Sequence, residues 1–105
     1  MADVFKAIAD PTRREILIML AQKKSNIGEI ATQFDMSRPA IAKHVKILEQ
    51  ANLVDIKPDS EDTRQRNCYA QLEALQEVEA YMKQLEEFWK NRLTGLGSFL
   101  AKTKK

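Results

Sequence analysis

Between Ser37 and Gln50 the chain reads Ser-Arg-Pro-Ala-Ile-Ala-Lys-His-Val-Lys-Ile-Leu-Glu-Gln. At helical periodicity these residues sort into two faces. Ile41, Val45 and Leu48 recur at i, i+4 and i+7 and form a stripe to be buried. Arg38, Pro39, Ala42, Lys43, Lys46 and Gln50 fall opposite them, and Glu49 is the one acid, in the C-terminal half. The outer face therefore offers three cations, no carboxylate and small residues between the charges. Cations attract phosphate, small side chains permit close approach, and a helix fits the width of the major groove. The chemistry on offer is recognition of double-stranded DNA. A solvated helix of any bundle shows the same two faces, so the neighbouring elements must decide.

Those elements are legible from caps and spacing. Ser37 is a cap, with Met36 and Ile41 placed as a hydrophobic staple. Asn26 and Glu29 have capping-box spacing, and the helix behind them runs to about Phe34. Two short helices joined by a few residues make a helix-turn-helix over about 26–51. Upstream, 3–9 reads as a short helix carrying Val4, Phe5 and Ile8. Asp10-Pro11 then starts a second one, with Ile16, Leu17, Met19, Leu20 and Ala21. That helix is expected to end near Lys23-Lys24, whose cations would complement its dipole.

Downstream, Leu53–Lys57 and Arg64–Ala70 pair as a hairpin around a polar turn, a wing over about 53–70 with a mobile tip. Lys57, Arg64 and Arg66 flank the acids Asp59, Glu61 and Asp62. Arg64 and Arg66 are candidates for DNA backbone or minor-groove contact, and pairing with those acids is the competing role. From about 71 to 101 the pattern is helical again, and Gly95 and Gly97 weaken that helix without having to end it. The fold class is mainly α with a small β-hairpin wing: one winged helix-turn-helix domain across 1–105 with a long C-terminal dimerisation helix.

Composition fits this class. The chain has 105 residues, of which 44% are hydrophobic and 30% charged, a folded rather than disordered balance. The net charge of +2 neither demands nor excludes nucleic acid, so the distribution matters: the 71–87 segment is acidic and 88–105 basic. One Cys and one His exclude an internal disulfide framework and a multi-His metal site within one chain. No run of signal-peptide length and no span of about 18 apolar residues is present, which predicts a cytoplasmic protein without a membrane partner. There is no Gly-rich phosphate loop, no Ser/His/Asp set and no metal-ligand spacing. Neither catalysis nor a cofactor is expected.

The last helix presents Met82, Leu85, Phe88, Trp89, Leu93, Leu96, Phe99 and Leu100. That is more apolar surface than one small domain with a seven-residue first helix can cover. Such stripes mark partner surfaces, and a two-fold homodimer interface built with Phe5 and Ile8 is expected.

Ala9-Asp10-Pro11-Thr12-Arg13-Arg14-Glu15-Ile16-Leu17 resembles the opening of the ArsR/SmtB family of winged-helix repressors. Ser37 to Leu48 resembles that family's recognition helix, and Leu53-Val54, Thr63-Arg64 and Tyr69 its wing. The likeness covers about 3–70 in order. It implies a homodimeric transcriptional repressor that reads an imperfect palindrome with the helix from Ser37. Metal sensors of the family carry a cysteine pair where this chain has Asn26 and Gly28, and others place Asp and His on a last helix that here has no His. The resemblance therefore implies the branch without metal sites. No small-molecule effector is named by any residue.

The resemblance also implies a phosphate contact for His44, while its place at the margin of the buried face equally allows a packed or pairing ring. Cys68 reads as an ordinary half-buried thiol, and Arg13 and Arg14 as structural or as supports behind the residues that make contact. Two rival functions stay open: a protein-interaction module that binds no DNA, and an effector- or metal-sensing repressor with an intersubunit site at Cys68 or His44.

Overall fold

The computed structural model describes the backbone of residues 3–103 and the side-chain surroundings of residues 3–92. In chain order it contains α1 (Val4–Ala7), α2 (Pro11–Gln22), α3 (Ile27–Phe34), α4 (Arg38–Gln50), β1 (Val54–Pro58), β2 (Arg66–Ala70), a 3-10 turn (Leu72–Ala74) and α5 (Leu75–Thr103).

Each of the first four helices starts on a side chain that accepts one of its free N–H groups. Asp3 accepts from Phe5 N at 2.9 Å, Asp10 from Arg13 N at 3.0 Å, and Ser37 from Ala40 N at 3.2 Å. Asn26 accepts from Glu29 N at 2.8 Å while Glu29 accepts from Asn26 N at 3.0 Å, the reciprocal box that the spacing predicts. The ends of α3 and α4 use left-handed residues, Asp35 (φ 51°) and Asn52 (φ 62°). Their short polar side chains tolerate that region, and the following N–H groups of Met36 and Leu53 return to Ala31 O and Leu48 O.

The boundaries of α1 and α2 differ from the sequence expectation. α1 stops at Ala7, and Arg13 and Arg14 take the carbonyls at its end and just after it. Arg13 Nε donates to Ala7 O at 2.8 Å and Nη2 to Lys6 O at 3.1 Å, while Arg14 Nη1 donates to Ile8 O at 2.8 Å and Ala9 O at 3.2 Å. α2 stops at Gln22, with Lys23 already extended (φ −161°, ψ 133°). The lysines therefore do not sit in its last turn. Ser25 instead pairs with Cys68 on β2, through Ser25 N to Cys68 O (3.3 Å) and Cys68 N to Ser25 O (2.9 Å).

β1 and β2 are antiparallel, with Val54 opposite Ala70, Ile56 opposite Cys68 and Pro58 opposite Arg66. The core lies between α2, α3, α4 and this hairpin, where Ile16, Ile30, Ile41, Val45, Leu48, Leu53, Val54 and Cys68 are fully buried.

α5 enters by a 3-10 turn rather than directly at 71, and runs through Gly95 and Gly97 unbroken. Leu75 and Val78 pack against the core, and the Tyr81 ring meets Phe5 of α1 edge-on at 5.4 Å. From Glu79 to Arg92 every side chain is exposed. The chain measures 72 × 25 × 25 Å with a radius of gyration of 20.0 Å, against about 13 Å for a compact domain of this length. It exposes 8004 Å², against about 6,000 Å² for a compact monomer of this mass. The excess reflects the length of α5, which projects from the core rather than folding back on it. Among the described residues, no helix is long and apolar enough to cross a membrane.

Candidate nucleic-acid interface

α4 rests on Ile41, Val45 and Leu48, all under 2% exposed, and this fixes its rotation about its axis. Ser37, Arg38, Pro39, Ala42, Lys43, Lys46 and Gln50 are consequently all exposed, as one continuous face. Pro39 sits in the first turn, where no intrahelical N–H bond is lost. Arg38 bends back over α3: its Nη2 lies 2.9 Å from where a Cβ on Gly28 would stand. The missing side chain of Gly28 is the space the guanidinium occupies.

His44 is turned away from that row. Its side chain is 21% exposed, and Nδ1 lies 3.3 Å from Arg13 Nη1 and 4.0 Å from Asp10 Oδ2. Nδ1 therefore faces Arg13 and Asp10 of its own chain. Hydrogen bonding from the Arg13 backbone N–H keeps the Asp10 carboxyl below its ordinary value, with burial opposing and the charges of Arg13 and His44 adding to the shift.

The wing tip carries its own hydrogen bonds. Asp59 Oδ2 accepts from Glu61 N (3.1 Å) and Asp62 N (3.0 Å), and its Oδ1 accepts from Asn67 Nδ2 (2.8 Å) with Lys24 Nζ at 3.8 Å. These donors, the two backbone N–H groups first, hold the Asp59 carboxyl below its ordinary value. Arg64 pairs with Asp62 (3.3 Å) and Lys57 with Asp55 (3.4 Å), while Arg66 is exposed opposite Pro58. Lys24 and Lys57 both stand over the Tyr69 ring, at 5.8 and 5.7 Å from its centroid. The sequence reading places Lys24 only at a helix end, gives Asn67 no role, and takes Asp59 only as part of an acidic tip. The available signal was an Asp two and three residues before free N–H groups, the Asx-turn spacing.

Asp10 and Asp59 titrate below their usual 3.8. Their contribution to stability is therefore present above that value and lost as pH falls through the lower folded value. Asp10→Asn and Asp59→Asn are expected to lower the Tm near neutral pH, with the gap to wild type closing in melts taken below about pH 4.

Cys68 is 1% exposed, and burial, with the nearby Glu49 charge, pushes its thiol up to about 11. It is more buried than its sequence context suggests, and a protonated thiol is a poor nucleophile and metal ligand. Among the described residues no group of three or more His, Cys, Asp or Glu is placed to hold a metal ion. Asn26 is committed to its capping box and Gly28 lies beneath Arg38.

Of the expected interface residues, Phe88 and Trp89 are 67% and 62% exposed, Met82 and Leu85 about as open, and Phe5 and Ile8 half-buried against their own core. Leu93 and Leu96 lie on α5, with side chains outside the described residues. Ile18, Leu72 and Tyr81, absent from the sequence reading of this surface, extend it. Ile18 and Leu72 edge an apolar groove of about 320 Å³ shared with Ile8, Leu17 and Leu75.

A family model described as bacterial regulatory protein, arsR family, matches residues 10–55. The transcriptional repressor SdpR of Bacillus subtilis is 48% identical over 54 residues, which span 51% of this chain and 60% of that protein. The HTH-type transcriptional regulator Rv2034 of Mycobacterium tuberculosis is 35% identical over 96 residues, 91% of this chain and 84% of that one. The crystal structure of the ArsR family transcriptional regulator RHA00566 superposes with a TM-score of 0.72 at 32% identity, over 86% of this chain and 97% of that one.

Proposed function

Because the chain belongs to the arsR family of bacterial transcriptional regulators, we propose that it is a homodimeric repressor. In this reading it binds an imperfect palindrome in double-stranded DNA with α4 and needs no metal to do so. The observation that carries the reading is the exposed, carboxylate-free row of Arg38, Lys43 and Lys46 on a helix whose opposite face is locked in the core. The name of SdpR supports repression. The uncovered surface of α5 supports the dimer.

Roles along α4 follow from position. Arg38, in the first turn, approaches base edges, where guanine is its preferred partner. Ser37, Pro39 and Ala42 allow close approach. Lys43 and Lys46, further along, meet phosphate. Arg66 is free to reach the DNA backbone or the minor groove; Arg64 must first leave Asp62. Phe5, Ile8, Met82, Leu85, Phe88, Trp89, Leu93 and Leu96 form the two-fold contact. The whole chain from 1 to 105 acts as one such domain.

Lys46→Ala is expected to weaken specific and random DNA alike and to flatten the salt dependence by about one unit of log–log slope for each phosphate no longer neutralised. Anisotropy titrations at several salt concentrations read both. Zinc, cadmium or arsenite should change affinity by no more than about twofold, since no ligand set is assembled among the described residues to couple binding to metal. Release by a stoichiometric metal would point to an intersubunit site instead. The reading as a whole is tested by a gel shift against a genomic fragment library. Retention of a discrete subset supports it, and no retained fragment makes the protein an interaction module.

A further inference from the structure

We infer that Arg13 is a positioning residue for DNA binding: it holds His44 in the tautomer that presents an Nε2–H donor to a DNA phosphate. The inference rests on the DNA-binding reading above. Two of the three guanidinium nitrogens of Arg13 are anchored on carbonyls at the end of α1, Nε on Ala7 O and Nη2 on Lys6 O. The group is planar and rigid, so the direction of the third nitrogen is set by the other two. That nitrogen, Nη1, lies 3.3 Å from His44 Nδ1.

A guanidinium only donates. The contact is a hydrogen bond when Nδ1 is the acceptor, which places the proton of a neutral imidazole on Nε2. Asp10 makes no hydrogen bond to the ring: its Oδ2 is 4.0 Å from Nδ1. Among the described residues no buried side-chain nitrogen lacks a partner. Nε2, which has none there, is therefore not fully buried, and it sits on a side chain that is 21% exposed on α4, one residue from Lys43.

The same guanidinium ties the reader to the rest of the molecule. α1 carries Phe5, whose ring meets Tyr81 of α5. Arg13 thus connects the end of α1 to α4 and sets the orientation of His44 relative to the long helix. A mere helix cap would need only the two carbonyl contacts, and the third points at the recognition helix.

His44 is the only histidine of the chain, so ¹⁵N-histidine labelling gives one imidazole and an unambiguous tautomer. At a pH where the ring is neutral, Nδ1 is expected unprotonated and Nε2 protonated, and Arg13→Ala should shift the ring toward the tautomer mixture of free imidazole. On selected DNA, His44→Gln, which puts an amide N–H near the Nε2 position, should bind within about threefold of wild type. His44→Asn, with its amide at the Nδ1 position, should lose about tenfold, as should Arg13→Lys, which keeps the charge but not the fork. In a His44→Ala background Arg13→Lys should cost nothing further.

A protonated Nδ1 in the wild type, full binding by His44→Asn, or an undiminished Arg13→Lys loss in the His44→Ala background each overturns the inference. Failure of the wild type to bind any DNA fails the functional reading itself, while the tautomer measurement, made without DNA, still reports whether Arg13 sets the ring.

Discussion

Phe88→Asp is expected to sediment as a folded monomer at micromolar concentration and to lose about 100-fold in operator affinity. Phe88 is 67% exposed within its own chain, so the substitution disturbs no core packing, and exposed changes usually move stability by no more than about 0.5 kcal/mol. In the dimer the same site would bury a carboxylate without a partner, at a cost of several kcal/mol. A monomer then holds one half-site and forfeits the effective concentration that the second reader has once the first is bound. Trp89→Ala, which truncates an aromatic anchor, should weaken the dimer by about 2 kcal/mol or more. Sedimentation velocity and anisotropy on one preparation check both effects. A Phe88→Asp protein that remains dimeric would remove α5 from the interface.

Arg38→Ala is expected to cost about 1–3 kcal/mol per half-site and to relax the preference at one base position. Because a two-fold dimer carries two copies, the loss is felt twice. Arg38 lies over Gly28 in the unbound chain, so binding must lift a flexible guanidinium off α3 without moving the helix that carries it. Competition titrations against single-base variants of the operator separate this effect from that of Lys46. If Lys46→Ala altered base preference and Arg38→Ala did not, the roles along α4 would be reversed.

The features legible in the sequence are those whose partners are close in the chain. Asp10, Asn26 and Ser37 cap helices through bonds three residues long, so residue type and spacing suffice to place them. The stripe of Ile41, Val45 and Leu48 fixes which face of α4 is outward by periodicity alone. The hairpin strands announce themselves by alternation on either side of a polar turn.

Pairings between distant segments left no such signal. Arg13 meets His44 across 31 positions, and nothing near either residue names the other. Ser25 bridges to Cys68, and Lys24 turns toward Asp59. These interactions accompany the end of α2 at Gln22 and give the wing tip its hydrogen bonds, where local propensity suggested lysines in a last turn. The apolar stripe of α5 was readable because it exceeds what so small a domain can hide. Ile18, Leu72 and Tyr81 join that surface only once the packing of α1, α2 and α5 is known.

The most direct measurement is the stoichiometry and symmetry of the complex on DNA recovered by selection from a random library. Two protomers per duplex, on an inverted repeat whose half-sites are centred about 34 Å apart, are predicted, with the preference at one base position of each half-site relaxed by Arg38→Ala. Recovery of sequences no different from the starting library, or one protomer on an asymmetric site, would contradict a two-fold dimer that reads DNA through α4.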